Sequence, residues 1–136
     1  MPASFFDTNV LLYLAASDPA KANRAEAAVA LGGAISVQVL NELANVARRK
    51  MRLPWEDTHE FLDMIRGLLT VHPVTLEVHE TGLELAERYG LSTYDALIAA
   101  AALHAGCDTL WSEDMQHGMK LGEGLRVVNP FRLTKL

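Results

Sequence analysis

The amino-acid sequence predicts an α/β domain: a parallel sheet covered by helices on both faces. Three observations carry this. Short apolar runs bounded by turn residues alternate with longer segments of helical periodicity, the pattern of strand–crossover–strand units. No repeat, linker or low-complexity stretch interrupts the alternation. The 136 residues, half of them hydrophobic and 21% charged, suit one core that closes without covalent staples, so residues 1–136 are read as one domain.

The elements follow in order. Ser4-Phe5-Phe6 reads as the first strand. Asn9 to Ala16 and Ala20 to Leu31 read as helices divided by Asp18-Pro19, the second ended by Gly32-Gly33. Ala34 to Val37 is the second strand. Val39 to Lys50 and Trp55 to Leu69 are helices broken near Pro54. Val71 to Val74 is the third strand. Glu77 to Tyr89 and Tyr94 to Ala105 are helices, stopped by Gly90 and Gly106. Thr109 to Trp111 is the fourth strand and Arg126 to Val128 a short fifth. In such sheets ligands bind at the carboxyl ends of the strands.

Composition removes several function classes. Cys107 is the only cysteine, so there is no internal disulfide framework and no Cys-based zinc site; beside an apolar run it reads as a small buried hydrophobe. None of His59, His72, His79, His104 and His117 forms a paired metal motif. Neither a G-x-S-x-G elbow nor a Walker-type glycine loop is present. Met1-Pro2-Ala3-Ser4 lacks the positive stretch of a signal peptide, and the runs Val10 to Ala16 and Ala96 to Leu103 fall far short of the roughly 18 residues that span a bilayer. A cytoplasmic protein without membrane attachment is expected. The net charge of −5 sits badly with a nucleic-acid ligand, but binding follows local fields, and acids under a metal ion invert the local sign. Arg48, Arg49, Lys50 and Arg52 cluster within five positions, either as a solvated helix end complementing the dipole or as a backbone-binding patch.

The chemistry-bearing candidates are carboxylates. Asp7 follows the first strand where a helix begins, which also suits an N-cap. Asp95 is the only Asp, Glu, Lys or Arg between Tyr89 and Asp108, and its helical neighbours Ile98, Ala99 and Ala102 are apolar. Ser92 and Asp95 also match a capping box, yet a carboxylate opening a buried helix needs a partner against desolvation. Past the fourth strand Glu113 and Asp114 compete, and Ser112 is placed to cap the next turn or to bond a carboxylate. Glu42 lies on a polar stripe with Gln38, Asn45 and Arg49, which alone reads as a solvent face. Convergence decides: three acids fall at carboxyl ends of parallel strands, with Glu42 about one turn beyond the second strand. Gathered like charges raise one another's pKa, and a divalent cation relieves them. Oxygen ligands alone point to Mg²⁺ or Mn²⁺, and hydrolysis would proceed by metal-activated water. No His pair is placed to share general acid and base work, so external water is the expected nucleophile.

With Asp7-Thr8-Asn9-Val10-Leu11-Leu12-Tyr13, Glu42, Ser92-Thr93-Tyr94-Asp95-Ala96-Leu97-Ile98, Leu110-Trp111-Ser112-Glu113-Asp114 and the closing Val128-Asn129-Pro130-Phe131, the chain resembles the PIN-domain nucleases, and most of all the VapC toxins of bacterial toxin–antitoxin pairs. The likeness runs in order over nearly the whole chain. It implies a sheet of about five parallel strands between helices and a metal-dependent endoribonuclease. It assigns the acidic quartet to Asp7, Glu42, Asp95 and Asp114, supported by Thr8, Asn9 and Ser112. Many relatives carry a further Asp where this chain has Gln116, which weakens a second metal position. It also implies a VapB-like antitoxin partner and a toxin homodimer.

Other readings stand beside this one. An aspartyl-phosphate phosphotransferase on Asp7 would want a second Asp where Asn9 stands. A catalytically inactive module binding RNA or protein would not need all four acids, and a DNA-acting relative stays open. Arg48, Arg49 and Arg52, read as continuing the helix of Glu42, are expected to hold the RNA backbone. Trp55, Phe61, Leu62, Ile65, Leu68 and Leu69 spread around more than one face of their helix, so an antitoxin segment is expected to cover the second face.

Overall fold

The computed structural model describes residues 3–133. Met1 and Pro2, on which the reading of the amino terminus partly rests, lie outside the described residues. The strands are β1 Ser4–Phe6, β2 Ala34–Ser36, β3 Thr70–His72, β4 Thr109–Trp111, β5 Lys120–Leu121 and β6 Leu125–Val128. The helices are α1 Thr8–Leu12, α2 Pro19–Ala30, α3 Val37–Arg49, α4 Trp55–Leu68, α5 Leu76–Tyr89 and α6 Thr93–His104, followed by a 3-10 turn at Pro130–Arg132.

The strands form one sheet in the order β3-β2-β1-β4-β6-β5. All neighbours pair in parallel except β5 and β6. The sheet therefore has six strands, not five. The extra one is a two-residue edge strand in a hairpin with β6, too short to leave a periodicity in the sequence. Neighbouring residues of a strand point to opposite faces. Phe5 and Phe6 are both 0% exposed, so both faces of β1 are covered. Right-handed crossovers place the helices between β1 and β3 on one face and α5 and α6 on the other.

Local chemistry sets the helix ends. Asp18 caps α2, accepting from the Lys21 backbone N–H at 3.2 Å, with Pro19 in the first turn where its missing N–H costs nothing. Thr75 caps α5, and Gly90 ends it at φ +70°, a left-handed conformation that glycine adopts freely. Helix α1 is shorter than the expected Asn9 to Ala16. After Leu12 the chain turns through three-residue hydrogen bonds, Leu14 N–H to Leu11 and Ala15 N–H to Leu12 carbonyls, before reaching Asp18-Pro19. Helix α6 packs closely on α5: a Cβ at Gly82 would stand 2.7 Å from a Leu97 methyl. That contact seats α6, whose first turn carries Asp95, against α5.

Candidate functional site

The carboxyl ends of β1, β2 and β4 open on one edge. The pairing Phe6↔Trp111 sets Asp7 beside Ser112, and Phe5↔Ala34 sets it beside Ser36 on the other side. Asp7 is only 4% exposed. One carboxylate oxygen accepts from the Thr8 backbone N–H at 2.8 Å, and the other from the Ser112 hydroxyl at 2.7 Å. Burial nonetheless pushes its pKa up to about 6; the Ser112 and Thr8 bonds pull it back, and the charges of Asp95 and Asp114 add to the rise. Asp7 is thus both the N-cap of α1 and a strained charge, so the two sequence readings describe one residue.

Glu42 projects from the middle of α3. Thr8 Oγ1 donates to its Oε1 at 2.5 Å, and Gln38 Nε2 donates to its Oε2 at 2.9 Å. Gln38 Nε2 also donates to the Tyr94 carbonyl at 3.1 Å, tying α3 to the start of α6. Ser92 caps α6, its hydroxyl accepting from the Asp95 N–H at 3.2 Å. Burial raises the Asp95 carboxyl; the Ser92 hydroxyl opposes the rise, and Asp114 and Glu42 add to it. Asp7 feels Asp95 and Asp114, and Asp95 feels Asp114 and Glu42, so the four acids form one electrostatic group.

Past β4 the two competing acids separate. Glu113 is taken by the ammonium of Lys21 and the hydroxyl of Tyr13, the latter at 2.6 Å. Burial pushes its carboxyl up, but Lys21 and Tyr13 together outweigh burial and hold it below the usual range. Asp114 is exposed and accepts from the Asn9 side chain. Ser112, fully buried, fills both of its expected parts: it donates to Asp7 and accepts from the Met115 N–H at 3.1 Å, closing the turn that carries Asp114.

Four carboxylates without His or Cys make a hard-oxygen donor set, which fits Mg²⁺ or Mn²⁺. As placed, no three acidic, His or Cys side chains among the described residues stand close enough together to hold an ion. Glu42 is turned to Thr8 and Gln38, and Asp114 to Asn9. The chemistry fits; a closed ligand shell requires those two flexible side chains to rotate inward.

A hollow of about 470 Å³ beside Glu42 is lined by Thr8, Gln38, Asn41, Asn45 and Tyr94. It adjoins one that reaches Arg49 and Trp55 through Asn45, so the polar stripe of α3 runs from the acids toward the basic cluster. The cluster itself differs from expectation. Arg48 donates to the Leu53 carbonyl at 2.7 Å and lies 4.2 Å from the Trp55 ring centre, which ties it to the α3–α4 corner. Helix α3 stops at Arg49, and Arg52 lies beyond it at φ +55°, so Arg52 does not continue the helix. Arg49 alone is both exposed and on the stripe.

Sequence reasoning missed the Gln38 bridge, the Tyr13–Lys21–Glu113 clamp and Ser36, whose hydroxyl is fully buried and has no partner among the described residues. Only the first left a trace, since Gln38 and Glu42 are spaced one turn apart.

The family model described as PIN domain matches residues 4–118. Among solved structures the chain is similar to a toxin–antitoxin complex from Klebsiella pneumoniae, at TM-score 0.73 and 21% identity over 96% of this chain and 100% of that one. It is similar to VapBC2 from Rickettsia felis, bound to a DNA fragment from their promoter, at TM-score 0.61 and 25% identity over 82% and 88%. It is also similar to VapC20 from Mycobacterium tuberculosis, a sarcin-ricin loop cleaving toxin, at TM-score 0.62 and 20% identity over 82% and 90%. A search of curated proteins finds no match. Among the described residues no helix is long and apolar enough to cross a membrane.

Proposed function

The chain belongs to the PIN-domain family, and from that premise we propose that it is an endoribonuclease that uses Mg²⁺ or Mn²⁺ and acts as the toxin of a toxin–antitoxin pair. The observation that carries this reading is the position of Asp7. A carboxylate 4% exposed, held near pKa 6 at the carboxyl edge of a parallel sheet and facing Asp95 and Asp114, has no structural need to be acidic. An asparagine would cap α1 as well.

Asp7 and Asp95 are the principal ligands in this proposal, with Glu42 and Asp114 completing the set directly or through water. A bound divalent ion supplies a more acidic water and screens charge on the phosphate. The chain's own groups do the positioning. Ser112 and the Thr8 N–H fix the plane of the Asp7 carboxylate, and Thr8 and Gln38 hold Glu42 at the edge of the site, from which it must turn to reach the metal. Gln38 also holds the α6 start in register with α3. With water as nucleophile the product ends are 5′-phosphate and 3′-hydroxyl.

The test is incubation of the purified protein with RNA in Mn²⁺, in Mg²⁺ and in EDTA, followed by end analysis. Cleavage in the metals, none in EDTA, and ligatable 5′-phosphates are expected. Full activity in EDTA overturns the metal, and 2′,3′-cyclic phosphates overturn the reaction class.

The partner is proposed to be a VapB-like antitoxin, on surface narrower than the sequence implied. Phe61, Ile65 and Leu69 are buried and Leu62 packs on the core, so these residues form one inward face. What α4 leaves open is Trp55 at its start, at 59% exposure, and Met64 and Leu68, at 44% and 52%, the latter two bordering a hollow with Leu14, Val29 and Ala30. An amphipathic helix suits such a groove. A homodimer would find apolar surface at Val74, Leu76 and Leu83. Co-purification with the antitoxin, and its loss in Met64→Asp with Leu68→Asp, tests the first; sedimentation of the protein alone tests the second.

A further inference from the structure

Tyr94 is 69% exposed, although it immediately precedes Asp95 and opens the most apolar helix of the chain. Its backbone is pinned, because its carbonyl accepts from Gln38 Nε2 at 3.1 Å. Its side chain borders two adjoining hollows, of about 470 and 490 Å³, which also share Gln38 and Asn41. An open aromatic ring on an anchored backbone thus stands next to the acidic cluster, opposite side-chain amides.

A nucleobase presents a flat π face and an edge of donors and acceptors, and in a duplex both are hidden by stacking and pairing. An amide offers donor and acceptor together. Gln38 is committed to Glu42 and Tyr94, which leaves Asn41 and Asn45, both exposed on the same stripe. We propose that Tyr94 is the stacking platform for one unpaired base beside the cleaved phosphate, with Asn41 and Asn45 meeting that base's edge. The inference rests on the nuclease reading and assigns this chain's own specificity contact within it.

Charge argues for the same assignment. The net charge is −5, and along the groove Arg49 is the one exposed arginine on the stripe. Phosphate contacts alone therefore hold the substrate weakly. Stacking is insensitive to the negative potential of the carboxylates. A second copy of the chain is the competing occupant, since Val37, Pro73 and Val74 border the outer hollow. The inner hollow opposes it: a protein contact there would bury Asn41, Asn45 and Glu42 against apolar surface without partners.

The experiment is binding in EDTA, where cleavage does not interfere. The full chain is titrated with a short oligoribonucleotide carrying 2-aminopurine, single-stranded and annealed to its complement. Quenching and tighter binding of the single strand are expected. Tyr94→Ala should weaken it by on the order of tenfold or more, while Tyr94→Phe binds within about twofold. Asn41→Ala should alter the preference among bases. Equal binding by Tyr94→Ala, equal binding of the duplex, or no binding by the unaltered protein overturns the inference. So does a Tyr94→Ala variant that changes only the sedimentation, which gives the ring to a contact between copies. Cleavage in Mn²⁺ is scored separately. If Tyr94→Ala binds unchanged while the unaltered protein cleaves, only the stacking contact fails; if single strands bind through Tyr94 and nothing cleaves, only the nuclease reading fails.

Discussion

The two ends of the sheet make an instructive pair. The amino end also carries a hollow, of about 360 Å³, lined by Ala3, Ser4, Gly32, Gly33 and Cys107 among others. By size it rivals the hollow beside Glu42. Its chemistry is quieter: beside backbone and small side chains the lining holds Leu31 and one imidazole, His72, with no carboxylate, and burial with the neighbouring Asp108 pushes the Cys107 thiol up, away from the reactive thiolate. At the carboxyl end β1, β2 and β4 run directly into helix starts or turns, and there stand Asp7, Ser36 at the last position of β2, and Asp114. A hollow becomes a site where strand polarity brings functional groups together, and volume alone does not distinguish the ends.

The sharpest way to break this contrast is to disarm each end. Asp7→Asn or Asp95→Asn should lower RNA cleavage by more than roughly a hundredfold, since even groups one layer behind a metal's ligands cost 10–100-fold. Cys107→Ala should leave cleavage within about twofold, as a buried thiol removed from the far end. Single-turnover rates on folded protein decide it; equal losses would erase the distinction. Next in size is a structural effect at the amino end. Gly33 sits at φ +153°, and a Cβ there would stand 2.6 Å from the Ser4 carbonyl oxygen. Gly33→Ala should cost about 2–3 kcal/mol in urea unfolding, with activity per folded molecule retained. A stable but inactive Gly33→Ala would show that the ends are coupled.

A third effect is expected at Asp7 itself, with opposite signs in activity and stability. The folded protein holds its proton more tightly, at about 6 against an ordinary aspartate value of 3.8. The cost of the buried charge is absent below the unfolded value, grows between the two, and is complete above about pH 6. At 1.36 kcal/mol per unit the ceiling is near 3 kcal/mol, and an expected gain of about 1–2 kcal/mol allows for imperfect bonding by the amide. In EDTA, Asp7→Asn should therefore melt higher than the parent at pH 7.5, with the advantage shrinking toward pH 4. An inactive variant that is also less stable would make Asp7 a structural cap first.

Much of this was legible because parallel sheets tie sequence to place. An acid just past an apolar run lands at the carboxyl edge, which located Asp7 and Asp114, and the start of an apolar helix located Asp95. What escaped is pairing across long separations. Glu113 and Lys21 lie 92 positions apart, and nothing local marks them as partners. The faces of α4 were only partly legible for a related reason: Trp55 and Leu68 do lie open, but Leu62 does not. Its apolar residues look spread in projection, but the inward face is wide enough to bury Phe61 and Ile65 while Leu62 packs at its margin. The β5 hairpin and the position of Arg52 depend on turn conformations, Gly122 and Gly124 at positive φ and Arg52 at +55°, that residue type only loosely dictates.

The smallest expected effect tests how finely the carboxyl end discriminates between neighbours. Glu113 and Asp114 are adjacent acids on one turn, but Glu113 points to Lys21 and Tyr13 while Asp114 meets Asn9. The Glu113 carboxyl is held below its usual range, so its contribution is present above the unfolded value near 4.5 and is lost as pH falls through the folded one. The pair is partly open, at 37% for Lys21 and 24% for Glu113, so solvent screens it. Glu113→Gln should cost only a few tenths to about 1 kcal/mol at pH 7, less in high salt, and progressively less as the pH falls below 4.5. Cleavage should fall by no more than about threefold, through a looser Asp114 turn, whereas Asp114→Asn should reduce it by on the order of tenfold or more. A Glu113→Gln loss as large as that of Asp114→Asn would mean that the clamp, and not Asp114, sets the geometry of this corner.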